Sequence, residues 1–135
     1  MKIKYTSQTI AFLNLFENIT RVRVKNGFFD DILIFIVNQG DIGKAIGKKG
    51  VNIRRLETKL MKKIKIVEFN NDPIVFIKHF IAPLTPREIT KEGDVINIVS
   101  DSVKTKGLLI GRDRKNLKRL QEIVSKYFNI EVKVL

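Results

Sequence analysis

Ile42-Gly43-Lys44-Ala45-Ile46-Gly47-Lys48-Lys49-Gly50-Val51-Asn52-Ile53-Arg54-Arg55-Leu56-Glu57 reads as two helices broken by a glycine-bounded turn. The spacing predicts a short helix over Asp41–Ile46 that turns Ile42, Ala45 and Ile46 inward. It predicts a longer helix after Gly50 that buries Ile53, Leu56 and Leu60 and exposes Arg54, Arg55, Lys59 and Lys62. Between them lies the loop Gly47-Lys48-Lys49-Gly50. Glycine opens backbone conformations that other residues resist, and its missing Cβ lets another backbone come close. The unpaired N–H groups at the start of the next helix favour an anion, and Lys48 and Lys49 add positive charge at the same place. Taken alone, the loop reads equally well as a phosphate-contacting turn or as a helix-turn-helix junction that needs glycine for its bend.

The setting occurs twice. At an offset of 64 residues Gly43 matches Gly107, Ile46-Gly47 matches Ile110-Gly111, Asn52 matches Asn116, and Arg55-Leu56 matches Arg119-Leu120. The match reaches the start of each half, pairing Ile10 with Ile74, Phe12 with Phe76 and Phe16 with Phe80. A register held without gaps argues for two copies of one unit. In the first copy a helix is expected from Ser7 to about Asn18. A strand over Thr20–Lys25, a turn at Asn26-Gly27 and a return strand over Ile32–Val37 follow. In the second, Asp72-Pro73 caps a helix with Ile74, Ile77 and Phe80 as its apolar stripe, which Pro83 and Pro86 stop. Glu88–Lys91, the turn Glu92-Gly93 and Val95–Val99 then form its hairpin. Its second loop helix buries Leu117, Leu120, Val124 and Phe128. The strands Lys63–Val67 and Asn129–Leu135 close the two units. The order is α-β-β-α-α-β twice, an α+β fold with a three-stranded sheet per unit. The expected domains are residues 1–69 and 70–135. The wholly apolar Ile32–Val37 strand wants cover on both faces.

Charge narrows the partner. Lys and Arg number 26 against 14 acids, a net +12, and the excess is spread: +8 over residues 1–68 and +4 over residues 69–135. A folded chain of this balance suits a polyanion, nucleic acid first and an anionic membrane surface second. Cysteine is absent, which excludes disulfides and thiolate metal sites. The longest apolar run, Ile32–Val37, is far below the roughly 20 residues of a membrane span. Lys2 and Lys4 are followed by no apolar signal core. The expectation is a soluble cytoplasmic protein without a membrane partner or a cofactor. An enzyme is not expected. The single histidine, His79, lies among apolar neighbours, Asp30-Asp31 sits in a turn, and the glycine loop lacks the Lys-Ser/Thr ending of a nucleotide-hydrolysing loop.

The segment from Ile42 to Glu57 resembles the signature of a KH domain, and the α-β-β-α-α-β order resembles the type II topology found in prokaryotes. Two such units in a short chain are similar to the archaeal NusA-like proteins, relatives of the transcription elongation and termination factor NusA. The resemblance covers nearly the whole chain. It implies an RNA-binding protein in which the loop and its flanking helices clamp about four nucleotides of a single strand, the bases lying in a groove between the loop helices and a sheet edge. It places Gly47, Lys48, Lys49 and Gly50 on phosphates, with Asn52, Arg54 and Arg55 extending the track, and Ile46, Val51 and Ile53 as candidate apolar contacts or plain core. The second loop departs from the pattern as Gly111-Arg112-Asp113-Arg114: Arg114 replaces the second glycine and Asp113 sets a negative charge where phosphate would sit. Either the clamp is weakened and the second unit supports the first, or Gly111, Arg112, Arg114 and Lys115 form an altered RNA site with arginines as ligands. Bacterial NusA carries a polymerase-binding domain and an oligonucleotide-binding barrel that this chain has no room for. Polymerase contact is therefore not carried over by the resemblance, and the RNA-binding half of the function remains. RNA polymerase and ribosomal components are left open as partners, and a ribosome-associated or RNA-processing KH protein is the alternative function.

Overall fold

The computed structural model describes residues 6–135; the expectation for Lys2 and Lys4 falls outside them. The chain divides into two compact units, Met1–Asn70 and Asn71–Leu135.

The first unit contains α1 (Ser7–Thr20), β1 (Val24–Phe29), β2 (Ile32–Val37), α2 (Ile42–Ile46), α3 (Val51–Leu60) and β3 (Lys63–Glu68). Thr6 caps α1 by accepting from the Thr9 N–H, while the Thr9 hydroxyl answers the Thr6 backbone. The sheet order is β1-β2-β3, antiparallel then parallel. Its inner face carries Leu33, Phe35 and Val37, with Ile64 and Ile66 beside them, and α1 and α3 contribute Phe16 and Leu56 to the same core. Phe16 stacks on Phe35 with ring centroids 4.3 Å apart. Ile34 and Ile36, on the opposite face of β2, are also buried.

The first hairpin differs from its sequence reading. Helix α1 continues to Thr20, whose buried hydroxyl donates to the Phe16 carbonyl and accepts from the Val22 N–H, turning the chain out of the helix. Glu17 on α1 then takes the Val24 N–H at 2.9 Å. Strand β1 therefore starts later, and the turn falls at Asp30-Asp31 instead of Asn26-Gly27. Asn26-Gly27 lies inside the strand, where the register shifts between Val24 and Asn26. Glycine is needed at position 27 because a Cβ there would run into the Phe29 ring. That ring is held edge-on to Phe12 and tilted against Phe35.

The second unit repeats the order: α4 (Pro73–Ile81), β4 (Glu88–Glu92), β5 (Val95–Val99), α5 (Val103–Ile110), α6 (Lys115–Tyr127) and β6 (Glu131–Val134). Its sheet, β4-β5-β6, has the same antiparallel-then-parallel pattern. Asp72 caps α4 through the Ile74 N–H. Glu92 pairs with Val95, so the two-residue turn is Gly93-Asp94, one residue later than the Glu92-Gly93 reading. Helix α6 buries Leu117, Leu120, Ile123 and Val124. Phe128, read as the end of that stripe, lies one residue beyond the helix in extended conformation, its ring tilted against Phe76. The closing strand is shorter than the 129–135 reading, because Phe128–Ile130 are spent on the turn from α6.

Candidate nucleic-acid interface

Each unit breaks its pair of loop helices with a tight turn, Lys48–Gly50 in the first and Arg112–Arg114 in the second. The two turns share one backbone. Gly47 (φ 79°, ψ 166°) corresponds to Gly111 (φ 75°, ψ 171°), and Lys49 (φ 55°, ψ 28°) to Asp113 (φ 54°, ψ 29°). Gly50 (φ 73°, ψ 20°) corresponds to Arg114 (φ 61°, ψ 21°). Gly47 and Gly111 occupy a region essentially closed to residues with a Cβ. Asp is among the residues that enter the left-handed region with least difficulty, but Lys49 and Arg114 are placed there against their preference.

An asparagine fastens each loop. The Asn52 amide donates to the Lys44 carbonyl at 3.1 Å, and the Asn116 amide donates to the Leu108 carbonyl at 3.0 Å. A Cβ at Gly47 would lie 2.8 Å from the Asn52 amide nitrogen, and one at Gly111 would lie 2.7 Å from Asn116. The first glycine of each loop is thus set by its clasp as well as by its dihedrals. Of the site residues expected from sequence, Asn52 alone has its amide engaged in closing the loop.

The charges crowd at the turn. Lys48, Lys49, Arg112 and Arg114 are exposed, and among the described residues none of them has a hydrogen-bond or carboxylate partner for its side chain. No side chain caps the N-terminus of α3 or α6. The first N–H of each helix, at Val51 and Lys115, turns back to the Lys48 and Arg112 carbonyls, and the N–H groups that follow have no side-chain cap beside those cations. Arg54 donates from Nη1 to the Lys49 carbonyl, which draws its guanidinium under the loop. Arg55 and Lys115 are exposed in their respective units. Ile46 and Ile53 pack against the core, whereas Val51 is 40% exposed and is the one apolar side chain of the three that reaches the surface. Gly43 and Gly107 lie exposed within α2 and α5, with nothing within 4 Å of where a Cβ would stand.

A second fastening is not legible as an identity. Glu57 on α3 accepts the Ile64 N–H at 3.4 Å. Gln121, 64 residues later, accepts the Val132 N–H at 2.7 Å and donates to the Ile130 carbonyl at 3.0 Å. Both tie the loop helix to the closing strand. The residues differ in type, so only a comparison by shape, Glu against Gln, brings them together.

Residues 5–80 match the KH-domain family model. The chain belongs to the KH-domain family. Two relatives fix its place within it, each described as a "Probable transcription termination protein NusA". The protein of Methanocaldococcus jannaschii is 31% identical over 99% of this chain and 76% of its own length. That of Methanococcus vannielii is 31% identical over 97% and 78%. This KH protein is therefore a member of the archaeal NusA-like group, and both units carry the type II arrangement. A solved structure, the crystal structure of APE1850, matches with a TM-score of 0.69 at 29% identity, covering 96% of this chain and 98% of that one. No helix among the described residues is long and apolar enough to cross a membrane, and no group of three or more His, Cys, Asp or Glu among them could hold a metal ion.

Proposed function

We propose that this chain binds single-stranded RNA through its two glycine-led loops and acts, as a NusA-like factor, on nascent transcripts in termination or elongation. The observation that carries the reading is one loop backbone built twice from different residues, each time with uncommitted cations over an uncapped helix start. A junction that only bends the chain has no need of that charge. In the first loop, Gly47 and Gly50 let a sugar-phosphate backbone approach while Lys48 and Lys49 neutralise it. In the second, Arg112 and Arg114 reach phosphate with forked donors, and Lys115 extends the track. Arg54 and Arg55 continue the basic surface of the first unit. The names of the relatives favour a transcript over a ribosomal target.

The test is a titration of labelled single-stranded RNA against the full chain and the Lys48→Asp/Lys49→Asp variant at moderate salt. Binding should be lost while the circular dichroism spectrum is kept; unchanged affinity would remove the loop from the site. The wild-type affinity should fall with salt at a slope of about 0.7 per phosphate neutralised. Crosslinking in cells separates the targets, since recovery of ribosomal RNA in place of nascent transcripts would reassign the protein to the ribosome.

A further inference from the structure

The second unit contains a groove of about 480 Å³ between α6 and β6, beginning at the loop. Arg114, Lys118, Gln121, Glu122, Glu131 and Val132 line it, the two cations lying on the loop side of Gln121 along the chain and Glu122 beyond it. Lys118 and Glu122 are spaced i, i+4 on one face of α6, and Arg114 sits at the left-handed residue just ahead of the helix, so the charge reverses going away from the loop. The helical stretch from Lys115 to Glu122 rises about 10 Å, the scale over which a nucleotide bound by its phosphate at the loop would extend its base.

The two ends do not neutralise each other. Among the described residues neither Lys118 nor Glu122 has an ion-pair partner, and the Glu131 carboxylate has none. Gln121 is fully used in holding the chain around it, its carbonyl on Val132 and its amide on Ile130 and Ser125, so it is not the residue that reads a ligand. The first unit lacks this polarity. Aligning the strands by the Glu57–Ile64 and Gln121–Val132 bonds places Lys63 where the second unit has Glu131. The offset places Thr58 where it has Glu122 and Arg54 where it has Lys118.

We infer that the groove of the second unit selects nucleotides whose base carries an exocyclic amino group, with Glu122 and Glu131 as specificity-determining acceptors. The inference rests on the RNA-binding reading above. A carboxylate repels phosphate, so the strand must present something else at that end. It accepts well from an amino group, as from cytosine N4, and adenine offers the same donor. Uracil flanks its one N–H with two carbonyl oxygens, which face a carboxylate unfavourably. The first unit, with Thr58 and Lys63 at the positions of the two glutamates and its Glu57 carboxylate taken up by the Ile64 N–H, has no such preference.

The experiment measures affinities of the full chain for labelled oligo(C), oligo(A) and oligo(U) of equal length. Wild type should favour oligo(C) and oligo(A) over oligo(U) by about tenfold. In Glu122→Thr/Glu131→Lys, which installs the residues of the first unit, overall affinity should rise and the preference should vanish. If all three affinities rise together with the ratio kept, the glutamates act only as bulk charge and the inference is overturned; a wild type without preference overturns it equally. Failure of wild type to bind any of the three would instead sink the RNA-binding reading itself. Should the double replacement disturb the fold, Glu122→Gln/Glu131→Gln keeps the shape and must still reduce the ratio.

Discussion

Arg114→Gly separates strain from function at the second loop. Arg114 sits at φ 61°, ψ 21°, a region that costs an L-residue about 1–2 kcal/mol. Glycine removes that cost but has more freedom to lose on folding, about 0.5–1 kcal/mol. The net gain is about 0.5–1 kcal/mol. For a unit of this size each kcal/mol moves the melting temperature by about 4–8 °C, so the second unit should melt about 2–8 °C higher. Single-stranded RNA affinity should nevertheless fall several-fold, and the salt slope should shrink by ~0.7, the loss of one phosphate contact. Scanning calorimetry and anisotropy titrations over a salt series read the two effects on the same samples. Met61→Gly is the control. Met61 is also left-handed, at φ 53°, and lies 84% exposed at the far end of α3, so its replacement should stabilise the first unit and leave binding alone. Arg114→Gly that stabilises without weakening RNA binding would refute the ligand role, and a lower melting temperature would refute the strain.

Gln121→Leu should destabilise the second unit by about 2 kcal/mol, because it leaves the Val132 N–H and the Ile130 carbonyl without their partner; hydrogen exchange at Val132 should quicken first. Asn116→Leu should cost about 1 kcal/mol by opening the loop clasp, and RNA affinity should fall with it. Gly107→Ala should stabilise by about 0.5–1 kcal/mol, since the helix gains propensity and the new methyl meets open space; reduced RNA affinity in the same variant would mark that face of α5 as a place where the strand lies close.

Much of the fold is legible because the chain states its pattern twice. The inward faces of α2 and α3 follow helical spacing, and the offset of 64 residues carries the reading from one loop to the other. The first hairpin misleads because Asn26-Gly27 has the composition of a tight turn, while the event that sets the strand is the hydroxyl of Thr20 ending α1. A single buried side-chain bond has no periodicity to reveal it. Phe128 continues the helical stripe in spacing, but by that point the chain has left the helix to reach β6. At the site, the glycines and cations can be read from residue type, whereas the clasps of Asn52, Asn116, Glu57 and Gln121 depend on which carbonyl or N–H folding brings within reach. Loss of the second glycine suggests a damaged loop. The preserved dihedrals at Arg114 show that the backbone shape survives the substitution.

The bond pair made by Gln121 also bears on how the protein stays apart from copies of itself. The closing strand of a small sheet offers a row of donors and acceptors that a stray strand can zip onto, the first step toward fibrils. Gln121 fills one donor of β6, at Val132, and the acceptor just ahead of the strand, at Ile130, mimicking a neighbouring strand for the length of a residue. An intruding peptide would have to evict that amide before it could extend the sheet, so the residue that ties α6 to the closing strand also obstructs that edge.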